Sequence, residues 1–174
     1  MLERVVCVDA DDRCVGTEEK LKAHRDGVLH RAFSVFVFNG RGELLLQRRS
    51  LDKYHSAGLW TNTCCSHPRP EEDVEAAALR RLDEEMGIAC PLRKAFTFLY
   101  RETVAPGLVE HELDHVFIGH LDGGQRDETP RPDPREVMQT RWIDREALRG
   151  ELVRTPDDYT AWFRISIERV LALA

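Results

Sequence analysis

The sequence predicts an α+β fold in which a mixed β-sheet carries helices on both sides, an α/β/α sandwich. Three observations predict it. Residues 32–38 read AFSVFVF, apolar on both faces, as a strand in the middle of a covered sheet does. Residues 71–86 keep helical spacing between an acidic first turn and the stop residue Gly87. Residues 95–101 and 109–120 read as a further strand pair.

The other elements follow in order. Residues 5–8, the acidic cluster 9–12 and residues 14–15 predict a short hairpin. Residues 17–24 suit a short helix with Thr17 as its cap. Asn39-Gly40 is a turn, after which residues 43–48 return as a strand. Residues 60–64 are extended, and Pro68 and Pro70 then break the chain. Residues 122–135 hold Gly123-Gly124 and three prolines and read as a loop. A strand over 137–143 and helices over 145–152 and 159–173 complete the chain.

The 174 residues fit one domain spanning positions 1–174. With 42% hydrophobic and 32% charged residues, the composition excludes a disordered or collagenous chain. The sequence has no transmembrane segment. A net charge of -6 argues against nucleic-acid and anionic-membrane partners, while leaving room for a local basic pocket. The first residues lack the basic and apolar regions of a signal peptide, and the last five carry no lipidation motif. Five cysteines without C-x-x-C spacing fit a reducing cytoplasm. Cys7, Cys14 and Cys90 read as small core or surface residues.

Four constellations could carry chemistry. His24, His30 and His67, with Glu110 and Glu112, form a scattered set of donors suited to Zn, Mn or Mg. Glu110 and Glu112 are two apart on a predicted strand and so share a face, with His111 on the other. Taken by spacing alone, these are equally surface histidines beside a solvated acidic strand. Cys65 lies in the crowded segment WTNTCCSHP, residues 60–68, either as a reactive thiol or as a buried structural one. The helix 71–86 ends in RRLDEEMGI, where Arg81 and Glu85 form an (i, i+4) pair beside the apolar stripe of Val74, Ala77 and Ala78. Lys20, Arg48, Arg49, Lys53, Arg81 and Arg101 could converge on an anion or simply solvate a face.

The helix resembles the Nudix box, G-x5-E-x7-R-E-U-x-E-E-x-G-U. Registered on Glu84, Glu85 and Gly87, the box places its Arg at Arg80, its first Glu at Glu72 and its leading Gly at Ser66. Arg81 stands where the box has Glu, which should weaken multi-metal hydrolysis and favour holding a phosphate. Together with WTNTCCSHP, LHRAFS (29–34) and Glu110-His111-Glu112, the chain resembles the type I isopentenyl-diphosphate isomerases from about Lys20 to Trp162.

The resemblance implies a Nudix-like α/β/α sandwich and a set of site residues. Cys65 matches an essential thiol, Glu112 an acid/base carboxylate on the opposite side of the substrate, Tyr100 its phenol partner, and Trp162 an aromatic facing a developing cation. His24, His30, His67, Glu110 and Glu112 match the ligands of one tightly bound divalent metal, either Mn, Zn or Mg. Glu85 and the Cys65 carbonyl match ligands of a second Mg bound with the substrate diphosphate. Lys20, Arg49, Lys53 and Arg81 match the diphosphate-binding set. The implied reaction interconverts isopentenyl and dimethylallyl diphosphate through a tertiary carbocation, with Glu112 and Tyr100 protonating the alkene and Cys65 thiolate removing the allylic proton. The partner is then a small allylic or homoallylic diphosphate. Two other readings use the same residues: a Nudix hydrolase of nucleoside diphosphate derivatives, which wants Glu at position 81, and a metal-stabilised binding module, which leaves Cys65, Tyr100 and Trp162 unexplained.

Overall fold

The computed structural model describes residues 3–121 and 129–174. Its centre is strand β3 (His30–Phe38). β3 pairs in parallel with β8 (Leu108–His120) along its whole length, from His30 opposite Glu112 to Phe38 opposite His120. β8 pairs antiparallel with β7 (Leu92–Ala105) as a long hairpin. On its other flank β3 meets β6 (Cys64–Ser66), with Ser34 opposite Cys65, and touches β1 (Arg4–Val8) and β4 (Leu44–Arg49) at its two ends. β2 (Cys14–Glu19) extends the sheet from β1, while β5 (Trp60–Thr61) and β9 (Val137–Ile143) pair with β4. Parallel and antiparallel ladders in one sheet, with helices on both faces, are the architecture the sequence predicts.

The apolar reading of residues 32–38 is borne out face by face. Phe33, Val35 and Val37 pack with Ala77, Ala78, Leu82 and Met86 of α2 (Val74–Met86). Phe36 and Phe38 face the other way, onto Phe163 and Ile167 of α4 (Ala161–Leu173) and Leu148 of α3 (Arg145–Arg154). Each such fully buried Phe or Leu contributes about 1.5–3 kcal/mol over an exposed one, so neither face of β3 tolerates a polar residue without a partner.

Three helix starts differ from expectation. The first helix, α1 (Lys20–Asp26), begins three residues after Thr17. Residues 17–19 instead continue the β1–β2 ladder, where the Thr17 hydroxyl accepts from Arg4. Glu19 supplies the cap, its carboxylate accepting from the Leu21 and Lys22 amides. α2 starts at Val74, because Glu71 has left-handed φ of 67° and Asp73 caps the Ala76 amide at 3.0 Å. Its end is as expected. Gly87 closes the helix at φ 62°, and a Cβ there would lie 2.9 Å from Arg131.

The expected extended stretch 60–64 is divided between β5 and β6. The strand over 137–143 is found as expected. The helix expected from residue 159 begins at Ala161, after a 3-10 turn over Pro156–Asp158. Of the predicted loop 122–135, residues 122–128, with Gly123-Gly124, lie outside the described residues. Residues 129–136 form no helix or strand, but they are docked: the Arg131 amide donates to Met86 O, and the Asp133 amide to Glu85 O.

Candidate active site

One face of the sheet builds the site. Alternation along β8 sends Glu110, Glu112 and Asp114 to the side covered by α4, while His111 points away and reaches Gly27 O at 3.0 Å. Tyr100 lies opposite Glu112 in the β7–β8 ladder and Cys65 opposite Ser34 in the β3–β6 ladder. Trp162 comes down from the first turn of α4. These side chains line a cavity of about 400 Å³, and so do Lys20, Arg49, Lys53, Arg81 and Glu85. His67 lines it too, whereas His24 and His30 are fully buried behind it.

The imidazoles are oriented from behind. His24 Nδ1 lies 2.7 Å from Lys20 O and His30 Nδ1 2.8 Å from Val28 O. A carbonyl only accepts, so both Nδ1 atoms carry the proton and both Nε2 atoms present lone pairs inward. Glu112 Oε1 lies among these donor atoms: His67 Nε2 is at 3.0 Å, His30 Nε2 at 3.3 Å and His24 Nε2 at 3.8 Å. His30 and His67 Nε2 are 3.2 Å apart, and His24 Nε2 has no hydrogen-bond partner. One cation with metal–nitrogen bonds of about 2.0–2.1 Å needs donors spaced about 3.0–3.4 Å. The His67–Glu112, His30–Glu112 and His30–His67 spacings meet that range and His24 stands slightly outside it, so the four residues could hold such an ion. Burial pushes the His67 imidazole down to about 4, so it is neutral, as a ligand must be.

Glu110 lies beside this group and shares His24 with it. It joins a second group, with His24 and His55, in which His55 Nε2 is 3.4 Å from Glu110 Oε1. His55 was not singled out by the sequence. It is buried, pushed down to about 2 mainly by burial, and meets the Trp162 ring edge-on at 6.2 Å. Tyr100 ties the two carboxylates together: its hydroxyl lies 2.7 Å from Glu112 Oε2 and 3.2 Å from Glu110 Oε2. Burial and the neighbouring Glu112 charge push Glu110 well above the ordinary carboxylate range. Burial would raise Glu112 as well, but His30 and His67 hold it well below that range. The two neighbouring carboxyls are thus pushed in opposite directions.

Cys65 packs against the α4-side core, with Arg49 Nη1 3.9 Å from its sulfur. The Arg49 guanidinium also lies 5.3 Å from the Trp162 ring centre. Burial pushes the Cys65 thiol up to about 12 against the lowering effect of Arg49. Burial thus favours the thiol form at Cys65, where the sequence expects the working form to be thiolate. Trp162 is fixed by its indole N–H, which donates to Asn62 Oδ1 at 3.1 Å.

At the mouth Lys20, Lys53 and Arg81 have carboxylate partners. Lys20 pairs with Glu3 at 3.1 Å and Lys53 with Glu136. Arg81 reaches Glu84 at 2.9 Å, Glu85 at 2.5 Å and Glu136 at 3.2 Å. Glu85 also accepts from Gln47 at 3.3 Å. Arg48 and Arg101 do not line the cavity: Arg48 donates to Gly58 O, and Arg101 sits beside Gly27. Glu72, the first carboxylate of the Nudix-like helix, grips Arg80 with two hydrogen bonds of 2.7 and 2.8 Å and so locks the preceding turn onto the helix.

The comparisons with known proteins agree with this architecture. The NUDIX domain family profile matches residues 28–163. An isopentenyl-diphosphate Delta-isomerase of Burkholderia multivorans is 50% identical, over 97% of this chain and 93% of its own. The chain belongs to the isopentenyl-diphosphate Delta-isomerase family, within the NUDIX fold. A second member of that family, from Aromatoleum aromaticum, is 49% identical over 99% of this chain and 94% of its own. A crystal structure from Deinococcus radiodurans superposes with a TM-score of 0.71 at 22% identity, covering 88% of this chain and 90% of its own. A MutT protein from Methanosarcina mazei gives 0.63 at 24%, covering 81% and 91%. At those identities the two structures speak for the fold alone.

Proposed function

We propose that this protein is an isomerase that interconverts isopentenyl diphosphate and dimethylallyl diphosphate, the activity named for its relatives. The observation that carries the reading is one cavity that joins a thiol, a Tyr-linked carboxylate and an indole to basic side chains that include Lys20, Arg49, Lys53 and Arg81. The cavity suits a small substrate with an apolar branched tail and a charged head.

Moving the double bond adds one proton at the terminal methylene carbon and removes one from the allylic carbon, so no net proton is consumed. The species between is a tertiary carbocation, which water would quench. In this reading Trp162 offers its ring face to the positive charge, and its hydrogen bond to Asn62 holds the ring in place. Glu112, hydrogen-bonded by Tyr100, and Cys65 form the acid/base couple. The sequence reading has Glu112, with Tyr100, protonate the alkene and Cys65 thiolate remove the allylic proton, and it leaves undecided which of the two groups delivers the first proton. Since the reaction is reversible, each group serves as acid in one direction and base in the other.

His24, His30, His67 and Glu112 would hold a divalent metal, with Glu110 beside them, and Glu85 with the Cys65 carbonyl would meet a second Mg on the diphosphate. Such a metal, when bound, fixes the orientation of Glu112 and tunes its basicity. Lys20, Arg49, Lys53 and Arg81 bind the diphosphate, anchoring the head so that remote binding energy aligns the tail. One domain over 1–174 and a cytoplasmic setting complete the reading, supported by five free cysteines. Among the described residues no helix is long and apolar enough to cross a membrane.

Proton NMR of isopentenyl diphosphate in D2O with purified protein tests the proposal. The expected result is growth of the dimethylallyl methyl signals with deuterium incorporation, abolished by Cys65→Ala. Phosphate release from nucleotides without isomerisation would favour the hydrolase reading. Near-normal turnover by Cys65→Ala would remove the thiol from the mechanism.

A further inference from the structure

We propose that Glu136 is a counter-ion latch on the diphosphate pocket: its carboxylate holds Lys53 and Arg81 together until a diphosphate displaces it. The inference rests on the diphosphate reading above. Glu136 precedes β9 and lies 83 positions from Lys53 in sequence. One of its oxygens takes Lys53 Nζ and the other Arg81 Nη2 at 3.2 Å. It thereby joins the turn after β4, which carries Lys53, to helix α2, which carries Arg81. Both cations belong to the set that the diphosphate would use, and all three side chains line the cavity.

The latch is built rather than adventitious. The Glu136 carbonyl accepts from the Ser50 amide at 2.9 Å and its own amide donates to Asp133 O at 3.0 Å. Asp133 is tied in turn to Glu85 O at 2.9 Å. The backbone is thus pinned on both sides of the mouth, so the carboxylate can swing away from the two cations without leaving the pocket. Arg49 provides the contrast. Among the described residues it has no carboxylate partner, and its buried Nε makes no hydrogen bond. Arg49 is ready for an incoming anion, whereas Lys53 and Arg81 must first be released.

A ligand that binds only the released form has its affinity reduced by the fraction in that form, so a latch shut nine-tenths of the time weakens binding about tenfold. Calorimetric titration of the intact chain with inorganic pyrophosphate in magnesium buffer tests this, alongside Glu136→Gln, Glu136→Ala and Arg49→Ala. Removing the carboxylate is expected to tighten pyrophosphate binding about three- to tenfold, with KM for isopentenyl diphosphate falling by the same factor. Arg49→Ala is expected to lose binding. Equal or weaker binding in both Glu136 variants, with Arg49→Ala still impaired, overturns the latch and leaves the diphosphate reading intact. A parent protein that binds no pyrophosphate overturns both.

Discussion

The Tyr100 hydroxyl lies 2.7 Å from one oxygen of Glu112 and 3.2 Å from one of Glu110, and so links two carboxylates that face the same cavity. A single hydroxyl has one proton to donate, and the shorter contact assigns it to Glu112. The ring is buried and stacked on Phe98 at 5.4 Å, which fixes the hydroxyl oxygen between the two carboxylates.

Tyr100→Phe keeps that stack and deletes only the donor. A hydrogen bond to a charged group is worth about 1.5–3 kcal/mol, so kcat is expected to fall about 10- to 100-fold with KM little changed. Steady-state isomerisation assays check this. A fall in kcat below twofold would show that the hydroxyl does not support the reacting carboxylate.

The three Nε2 atoms gathered on Glu112 Oε1 predict a stabilising ion. At a free-metal concentration a hundred times the dissociation constant, a ligand that binds only the folded state adds about 2.7 kcal/mol. Stripping with EDTA is then expected to lower Tm by about 5–10 °C for a chain of this size, and to abolish isomerisation. Scanning calorimetry before and after chelation, with re-addition of Zn, Mn or Mg, reads both effects. An unchanged Tm would mean that the imidazoles hold no ion.

Arg81 contacts three carboxylates at once, so its charge is the local neutraliser of the α2 end of the pocket. Arg81→Glu restores the box residue and puts a fourth carboxylate among Glu84, Glu85 and Glu136. Like charges at this spacing repel, and a donor to the diphosphate is lost as well. Pyrophosphate affinity is expected to fall about 100-fold or more. Calorimetry that found affinity within twofold of the parent would remove Arg81 from the diphosphate set.

Much of this arrangement was legible in the sequence, and the rest has a physical reason for being hidden. β3 and α2 announce themselves by periodicity, because each buries a continuous face. Glu110 and Glu112 share a face because strand alternation is strict. The start of α1 was misread because Thr17 and Glu19 are both competent caps, and the β1–β2 ladder decides between them. His55 and Glu136 escaped notice because each lies in an irregular segment where spacing carries no direction. Their meaning comes from partners brought close only by the fold: Glu110 for His55, and Lys53 and Arg81 for Glu136.

Asn62 predicts a stability effect at the pocket floor. Its carbonyl oxygen accepts from the Trp162 indole at 3.1 Å and from the Thr61 hydroxyl at 2.8 Å, and its amide reaches Cys64 O at 2.6 Å. Asn62→Ala leaves buried groups without partners, each worth about 1–3 kcal/mol. Urea unfolding is expected to show a loss of that order or more, with Trp162 fluorescence shifted to the red. Stability within 0.5 kcal/mol of the parent, a margin about that of a neutral surface change, would mean the network contributes little.

The adjacent thiols should separate cleanly. Strand alternation turns Cys65 toward the cavity and Cys64 to the opposite face, where it is fully buried with Ala77, Leu82 and Phe117 in the core under α2. Burial pushes the Cys64 thiol well above its ordinary value, so it is a small apolar filler there. Cys64→Ala deletes one buried heavy atom and is expected to cost about 1 kcal/mol of stability, while turnover persists. Cys65→Ala is expected to do the reverse, abolishing turnover with a smaller loss in Tm. Parallel denaturation curves and NMR turnover assays on the two variants decide it. Loss of activity in Cys64→Ala at full stability would mean that the chemistry reaches through the sheet to the second thiol.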